Sequence, residues 1–247
     1  MNIETQAEKR QGLDITFDDC MIELFCSPLC THDYNAIHDR EKWSAIENPF
    51  NGPVVPLMLV AGFSEIAGYF QNENKKISSL NLRMDKELYF NERVLIKPEV
   101  NGAKTRLQFQ REKQEIGNGC VTLADTLQNE TVKTDFEKVH EIELNYEKFE
   151  NYRRVFSDFI LPDRLPYMFP VAATVSKTLL DIGKQKGMPL MMYGLINVNF
   201  YEAMDELDLD DRISMHLKDR GSLKYDVAAA RENRMIFKLR TRLFPLQ

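Results

Sequence analysis

The chain is poor in the residues on which metal and redox chemistry most often depend. Among its 247 residues there are four cysteines, four histidines and one tryptophan. Cys20, Cys26, Cys30 and Cys120 form no C-x-x-C pair. In a cytoplasmic setting they read as reduced thiols, not as a disulfide framework. Cys26, Cys30 and His32 approach a zinc set, but the spacing is poor and a fourth ligand is missing. No metal and no cofactor are therefore expected. No apolar run reaches the roughly 18 residues that suggest a bilayer-spanning helix, so no membrane span is expected. The opening segment MNIETQAEKRQG is polar and charged and lacks the apolar core of a secretory signal, which favours a cytoplasmic location. Positive charge is not in excess either: the net charge is −6, which argues against a broad nucleic-acid-binding face. What remains is the composition of an ordinary soluble globular protein, long enough for one large domain or two small ones.

The apolar residues are organised. Residues 13–25, LDITFDDCMIELF, begin with strand-like alternation and continue as a short amphipathic piece. Residues 53–70, PVVPLMLVAGFSEIAGYF, are the most apolar stretch, with Val60, Phe63, Ala67 and Phe70 at helical spacing and small residues between them. A helix apolar nearly all round is a buried helix, and Pro56 suits its first turn. Four strand-like runs follow at 77–88, 92–100, 104–113 and 119–128, with VNGAK and IGNG read as hairpin turns. The same order then recurs at an offset of about 115 residues. A slim apolar helix near 168–184 with a proline at its start precedes strand-like runs at 192–204, 211–221, 222–234 and 234–244. The charged segment between, TDFEKVHEIELNYEKFENYRRVF, reads as the entry to the second unit plus a helix, not as a floppy linker.

A helix wrapped by an antiparallel sheet, twice in tandem, suggests an α+β double hot-dog. One such sheet alone leaves an open edge, and two can join into a continuous sheet. The units expected are residues 1–132 and 133–247, with buried helices near 54–70 and 168–184.

Upstream of the first helix stands DYNAIHD, residues 33–39. By spacing alone it is either a polar loop with a cap or an acid–base pair. In context, DYNAIHDREKWSAIENPFNGPVVPLML resembles the signature of the MaoC-like, (R)-specific enoyl-CoA hydratases and dehydratases, whose pattern is D-x-N-P-x-H followed by a G-rich turn and a helix opening with H-G-M. LPYMFPVAATVSKTLL and MYGLINVNF resemble the half without the motif in two-hot-dog members, so the resemblance covers nearly the whole chain. It implies that Asp33 and His38 are the catalytic pair and that Asn35 positions them. It also implies that the first-turn amides near Leu57 and Met58 receive the thioester carbonyl, with Gly62 one turn further on. The substrate would be an acyl thioester of CoA or an acyl carrier protein, in fatty acid metabolism, on a monomer or homodimer of such chains.

The chemistry suits the spacing. Water addition across an α,β-unsaturated thioester needs a base for the water proton and an acid for C2, and a carboxylate and an imidazole on one bent loop can hold the same water. The amides and dipole of a buried helix start can stabilise charge on the thioester oxygen. This chain departs from the pattern in three places: Ala36 replaces the motif proline, Pro56-Leu57-Met58 replaces H-G-M, and Gly62 replaces a small hydroxyl residue. In the second repeat, residues 145–152, NYEKFENY, hold neither aspartate nor histidine. Two other readings stay open: a thioesterase on the same scaffold, and a non-catalytic acyl-thioester-binding or assembly subunit. The thioesterase would use a carboxylate-activated water at the thioester carbon, which D-x-N-x-x-H argues against; without an acid–base role, Asp33 caps a turn and His38 is a satisfied core histidine. Trp43 is expected to pack the motif loop, His32, His140 and His216 to be surface or strand residues, and MPLMM (188–192) to be core or the lining of an acyl tunnel.

Overall fold

The computed structural model describes residues 12–69, 74–157, 165–187 and 191–245. Phe70, the end of the first expected helix, and residues 188–190 of the methionine-rich run lie outside them.

The strands are β1 (Leu13–Thr16), β2 (Lys76–Met84), β3 (Arg93–Asn101), β4 (Lys104–Arg111), β5 (Gln114–Ala124), β6 (Glu137–Glu143), β7 (Met191–Phe200), β8 (Arg212–Asp219), β9 (Lys224–Arg231) and β10 (Arg234–Pro245). They form one ten-stranded sheet in the order β1-β3-β4-β5-β2-β7-β10-β9-β8-β6. Every pairing is antiparallel. The halves meet at β2 and β7, where Ser79 pairs with Asn199 and Arg83 with Leu195. From that seam the order reads β2-β5-β4-β3-β1 one way and β7-β10-β9-β8-β6 the other, so each strand has a counterpart.

Five helices accompany the sheet among the described residues: α1 (Asp19–Cys26), α2 (Arg40–Trp43), α3 (Leu57–Tyr69), α4 (Tyr146–Val155) and α5 (Met168–Gln185). The first long apolar helix, α3, starts later than its apolar run. Val54 is drawn into a bridge with Tyr89 instead, and the Pro56 carbonyl accepts the N–H groups of Leu59 and Val60. Helix α3 packs on β2 to β5 and on α5 within one continuous core. Its glycines set its approach distances. A Cβ at Gly68 would lie 2.7 Å from the Val121 side chain.

Two sequence expectations change. IGNG is not a turn: the β4–β5 turn is at Glu112-Lys113, with Glu112 at φ 58°, and Gly117 and Gly119 lie within β5. They suit a strand because β2 passes so close that a Cβ at Gly117 would meet the Arg83 carbonyl oxygen at 2.7 Å. Residues 145–152 are not the counterpart of the motif loop, because they fall largely in α4, which stands in order where α1 stands in the first half. Only residues 156–167 separate α4 from α5, against 27–56 between α1 and α3. The segment after β5 crosses the outer face of the second half: the Glu130 carbonyl accepts the Met235 N–H at 2.8 Å, and Val132 and Phe136 pack on Tyr201, Ala228 and Met235.

Candidate active site

The loop between α1 and α3 is wound by its own polar side chains. Asp18 caps α1 by accepting the Met21 N–H at 2.8 Å. After α1 the Thr31 hydroxyl donates to the Phe25 carbonyl at 2.5 Å, and His32 turns the chain with φ 55°. Two Asx turns then follow in series. An Asp33 carboxylate oxygen accepts the Asn35 N–H at 3.3 Å, and the Asn35 side-chain oxygen accepts the Ile37 N–H at 3.3 Å. The Asn35 carbonyl accepts the His38 N–H at 3.0 Å, closing a 3-10 turn over Ala36–His38. Asp39 next caps α2 through the N–H groups of Glu41 and Lys42, each at 3.0 Å.

The turn is pinned from below by Ile37, which packs with Phe50 and Val54. The Val54 N–H donates to the Ile37 carbonyl at 2.8 Å, and the Val54 carbonyl lies 2.6 Å from His38 Nδ1. A carbonyl only accepts, so Nδ1 is the donor in that contact and Nε2 is the nitrogen left for other partners.

Asp33, Asn35, His38 and Leu57 line one cavity of about 130 Å³. Asp33 is only 4 % exposed. Most of the wall is apolar. Ile37, Val54, Val55 and Val60 form the near side, and the far side comes from the second half: Ser176, Leu179 and Leu180 of α5, Gly194 of β7 and Leu243 of β10. Asp85, Lys86 and Glu87 of the β2–β3 connection complete it. A buried acid and an imidazole thus share a small apolar chamber, the setting for proton transfer on a bound, largely apolar molecule.

Neither the Met58 side chain nor Gly62 lines this cavity, although what is expected of Met58 concerns its first-turn amide. The Met58 side chain is fully buried in the core, outside the cavity lining. Gly62 faces α4, where a Cβ would meet Phe156 at 2.5 Å and the Tyr152 hydroxyl at 2.9 Å. Helix α3 is apolar on every side, so its pattern does not say which side faces the cavity. Trp43 serves its loop through hydrogen bonding: its Nε1–H donates to Asn48 Oδ1 at 3.0 Å, while the apolar packing comes from Ile37, Phe50 and Val54.

His140 Nε2 lies 3.0 Å from the Thr178 hydroxyl, and His216 Nε2 lies 3.0 Å from that of Ser214. Burial lowers the pKa of both rings, helped by Lys177 at His140 and Lys138 at His216. Burial pushes the Cys30 thiol up to about 12 despite nearby Lys148. It also raises Cys26, with Asp33 and Cys30 adding to the effect. Among the described residues, no group of three or more His, Cys, Asp or Glu side chains is placed to hold a metal ion.

Sequence reasoning missed Ser176, Tyr34 and Glu65. Ser176 is a buried hydroxyl on the far wall. The Tyr34 hydroxyl donates to Asp181 at 2.7 Å. Glu65 is a buried carboxylate that accepts the N–H groups of Tyr167 and Met168, each at 2.7 Å. Only Glu65 left a signal, as the one charged residue in a helix whose other residues are apolar apart from Ser64 and Tyr69.

No family model and no curated protein matches the chain. Solved structures share its fold. A MaoC-like dehydratase superposes with a TM-score of 0.59 at 13 % identity, over 97 % of this chain and 99 % of that one. The full-length peroxisomal multifunctional enzyme type 2 from Drosophila melanogaster gives 0.56 at 9 % identity, over 94 % of this chain and 48 % of that one. An acyl-ACP thioesterase from Bacteroides thetaiotaomicron gives 0.52 at 11 % identity, over 97 % and 99 %. The resemblance to MaoC-like proteins therefore holds at the level of a hot-dog fold. No helix among the described residues is long and apolar enough to cross a membrane.

Proposed function

We propose that this chain, which has the fold of MaoC-like dehydratases, is a hydro-lyase interconverting 3-hydroxyacyl and trans-2-enoyl thioesters of CoA or an acyl carrier protein. Asp33 and His38 are its acid–base pair. The observation that carries this reading is that both line one mostly apolar cavity while His38 Nδ1 is taken by the Val54 carbonyl. The cycle starts with Asp33 as carboxylate and His38 as imidazolium, Nδ1–H on the Val54 carbonyl. In the hydration direction the Asp33 carboxylate removes a proton from water as the water oxygen bonds to C3. His38 delivers its Nε2 proton to C2 and becomes neutral, and transfer of the proton that Asp33 took from water to His38 Nε2 resets the pair. Over the cycle, water supplies both the hydroxyl and a proton. Negative charge on the thioester oxygen is received at the start of α3, where the first-turn amides of Leu57 and Met58 have no intrahelical acceptor. The Leu57 side chain makes that approach narrower than a glycine would.

The scaffold forms part of the proposal: two tandem hot-dog units, residues 1–132 and 133–247, with the dyad in the first alone. The mirrored strand order about the β2–β7 seam supports it. One site per chain follows, with the second unit as the far wall. The likeness to an acyl-ACP thioesterase over the whole chain favours a second reading, in which a carboxylate-activated water attacks the thioester carbon and releases a thiol.

Crotonyl-CoA separates the two. Hydration removes the enoyl absorbance without thiol, whereas thioester hydrolysis releases thiol. General acid–base groups contribute about 100- to 10,000-fold, so Asp33→Asn should lose that much rate with an unchanged melting curve. Adding a His38 substitution should cost little more, because the pair acts as a unit. A parent that hydrates crotonyl-CoA and an Asp33→Asn variant that keeps its rate would refute the dyad.

A further inference from the structure

The segment that carries Asp33 has no regular structure between α1 and the 3-10 turn. Side-chain bonds to the opposite half of the molecule help hold it. Asn151, buried on α4, donates its amide to the Leu29 carbonyl at 3.1 Å. Tyr34, adjacent to Asp33, donates its hydroxyl to Asp181 of α5 at 2.7 Å. Asp181 is itself held by Lys177, one helical turn earlier, at 2.7 Å. The Tyr34 ring is also braced by the His32 ring, edge on, at 5.6 Å between centroids. Burial would raise the Asp181 carboxyl, but hydrogen bonds from Lys177 and Tyr34 outweigh it and keep the group below its ordinary pKa, an ionised acceptor for the phenol.

Tyr34 is 42 % exposed, and the hydrogen bond from its hydroxyl is what ties it to α5. Helix α5 is also the helix that contributes Ser176, Leu179 and Leu180 to the cavity. One hydrogen bond therefore spans from the residue beside Asp33 to the helix opposite it.

We infer that Tyr34 and Asp181 form a positioning latch, which fixes the Asp33 carboxylate relative to the far wall of the cavity. The half without a dyad thus holds the other half's dyad in register with the bound acyl group. This rests on the hydro-lyase reading for its catalytic consequence, though not for the latch itself. Neither residue touches the reacting atoms. They act through the backbone that joins Tyr34 to Asp33, and small misplacements of a reacting group can cost about 100-fold in rate.

The test is a set of variants assayed with crotonyl-CoA. Tyr34→Phe keeps the ring and loses the hydroxyl. It should lower kcat about ten- to a hundredfold, with KM little changed. Asp181→Ala should reproduce that loss, and the double variant should be no worse than either single one. Asp181→Asn keeps an acceptor oxygen and should restore most of kcat. A kcat for Tyr34→Phe within about twofold of the parent, or losses that multiply in the double variant, would overturn the latch. Amide hydrogen exchange, read on the same proteins, decides the matter even if the parent hydrates nothing, in which case the hydro-lyase reading alone has failed. Faster exchange at Asn35, Ile37 and His38 in Tyr34→Phe, with none at the β2–β7 seam, supports the latch. Unchanged exchange there refutes it.

Discussion

Replacing Glu65 by glutamine should be among the costliest single-atom changes in this chain. The parent carboxylate is 2 % exposed and accepts 2.7 Å hydrogen bonds from the Tyr167 and Met168 amides at the start of α5. Glutamine keeps one acceptor oxygen. Its NH₂ group then meets the second amide donor to donor, and that amide is left without its carboxylate. A hydrogen bond to a charged group contributes about 1.5–3 kcal/mol, and an orphaned buried donor costs about 1–3 kcal/mol. Loss of the anion at the helix start removes up to about 2 kcal/mol more. These contributions overlap because they describe the same two bonds, so the net cost should be about 2–4 kcal/mol. At about 2–4 °C per kcal/mol for a chain of this size, the melting temperature should fall by about 5–15 °C. Aspartate at the same position keeps the charge but is one methylene too short to reach both amides equally, so it should fall between. Urea unfolding with calorimetry on the same samples measures both quantities. A glutamine variant melting within about 1 °C of the parent would refute the claim that Glu65 anchors α5 to α3.

Two further outcomes follow from the cavity and from the second half. A dry cavity of about 150 Å³ binds benzene, so the chamber of about 130 Å³ should favour enoyl thioesters of roughly four to six carbons. Gly194→Val should shorten that range, since a Cβ there would meet only Phe244, at 3.9 Å, and extra bulk can enter the chamber; rates across a thioester chain-length series that stay flat would contradict it. Asp226 is inaccessible to solvent, and though burial alone would raise its pKa, hydrogen bonds from Arg220 and Arg240 hold it below the ordinary value. Its folded pKa is depressed, so its contribution to stability is present above the unfolded value near about 4 and is lost as pH falls through the folded value. The stability gap between parent and Asp226→Asn should therefore narrow below about pH 4, and a gap that is constant with pH would show that the ion pairs are not its source.

Elements set by local pattern were legible in the sequence. Both long helices, most of the strands and the turn at Gly102-Ala103 follow from apolar spacing and turn chemistry. So does the D-x-N-x-x-H run, because its two Asx turns are local and need only their own side chains. The sheet order does not: successive strands joined in a meander would put β2 beside β3, and it lies between β5 and β7. What failed depended on distant neighbours. The IGNG stretch reads as a turn until β2 is beside it and demands residues without a Cβ. Leu57, Met58 and Gly62 could not be told apart because an apolar helix carries no facing information. The partners of Glu65 and Tyr34 lie more than a hundred positions away in the chain, beyond any periodicity.

The mirrored sheet leaves two outer strands, and their makeup bears on how copies of this molecule meet. One is β1, only four residues long. The other, β6, reads EKVHEIE, with charged side chains along most of its length. A short edge offers too few backbone groups to template a neighbour, and a charged one repels a like copy. Because the two halves complete each other at the β2–β7 seam, the long apolar strands that would otherwise recruit a stranger are all interior. The molecule is thereby guarded against the runaway strand-by-strand growth that leads to fibres.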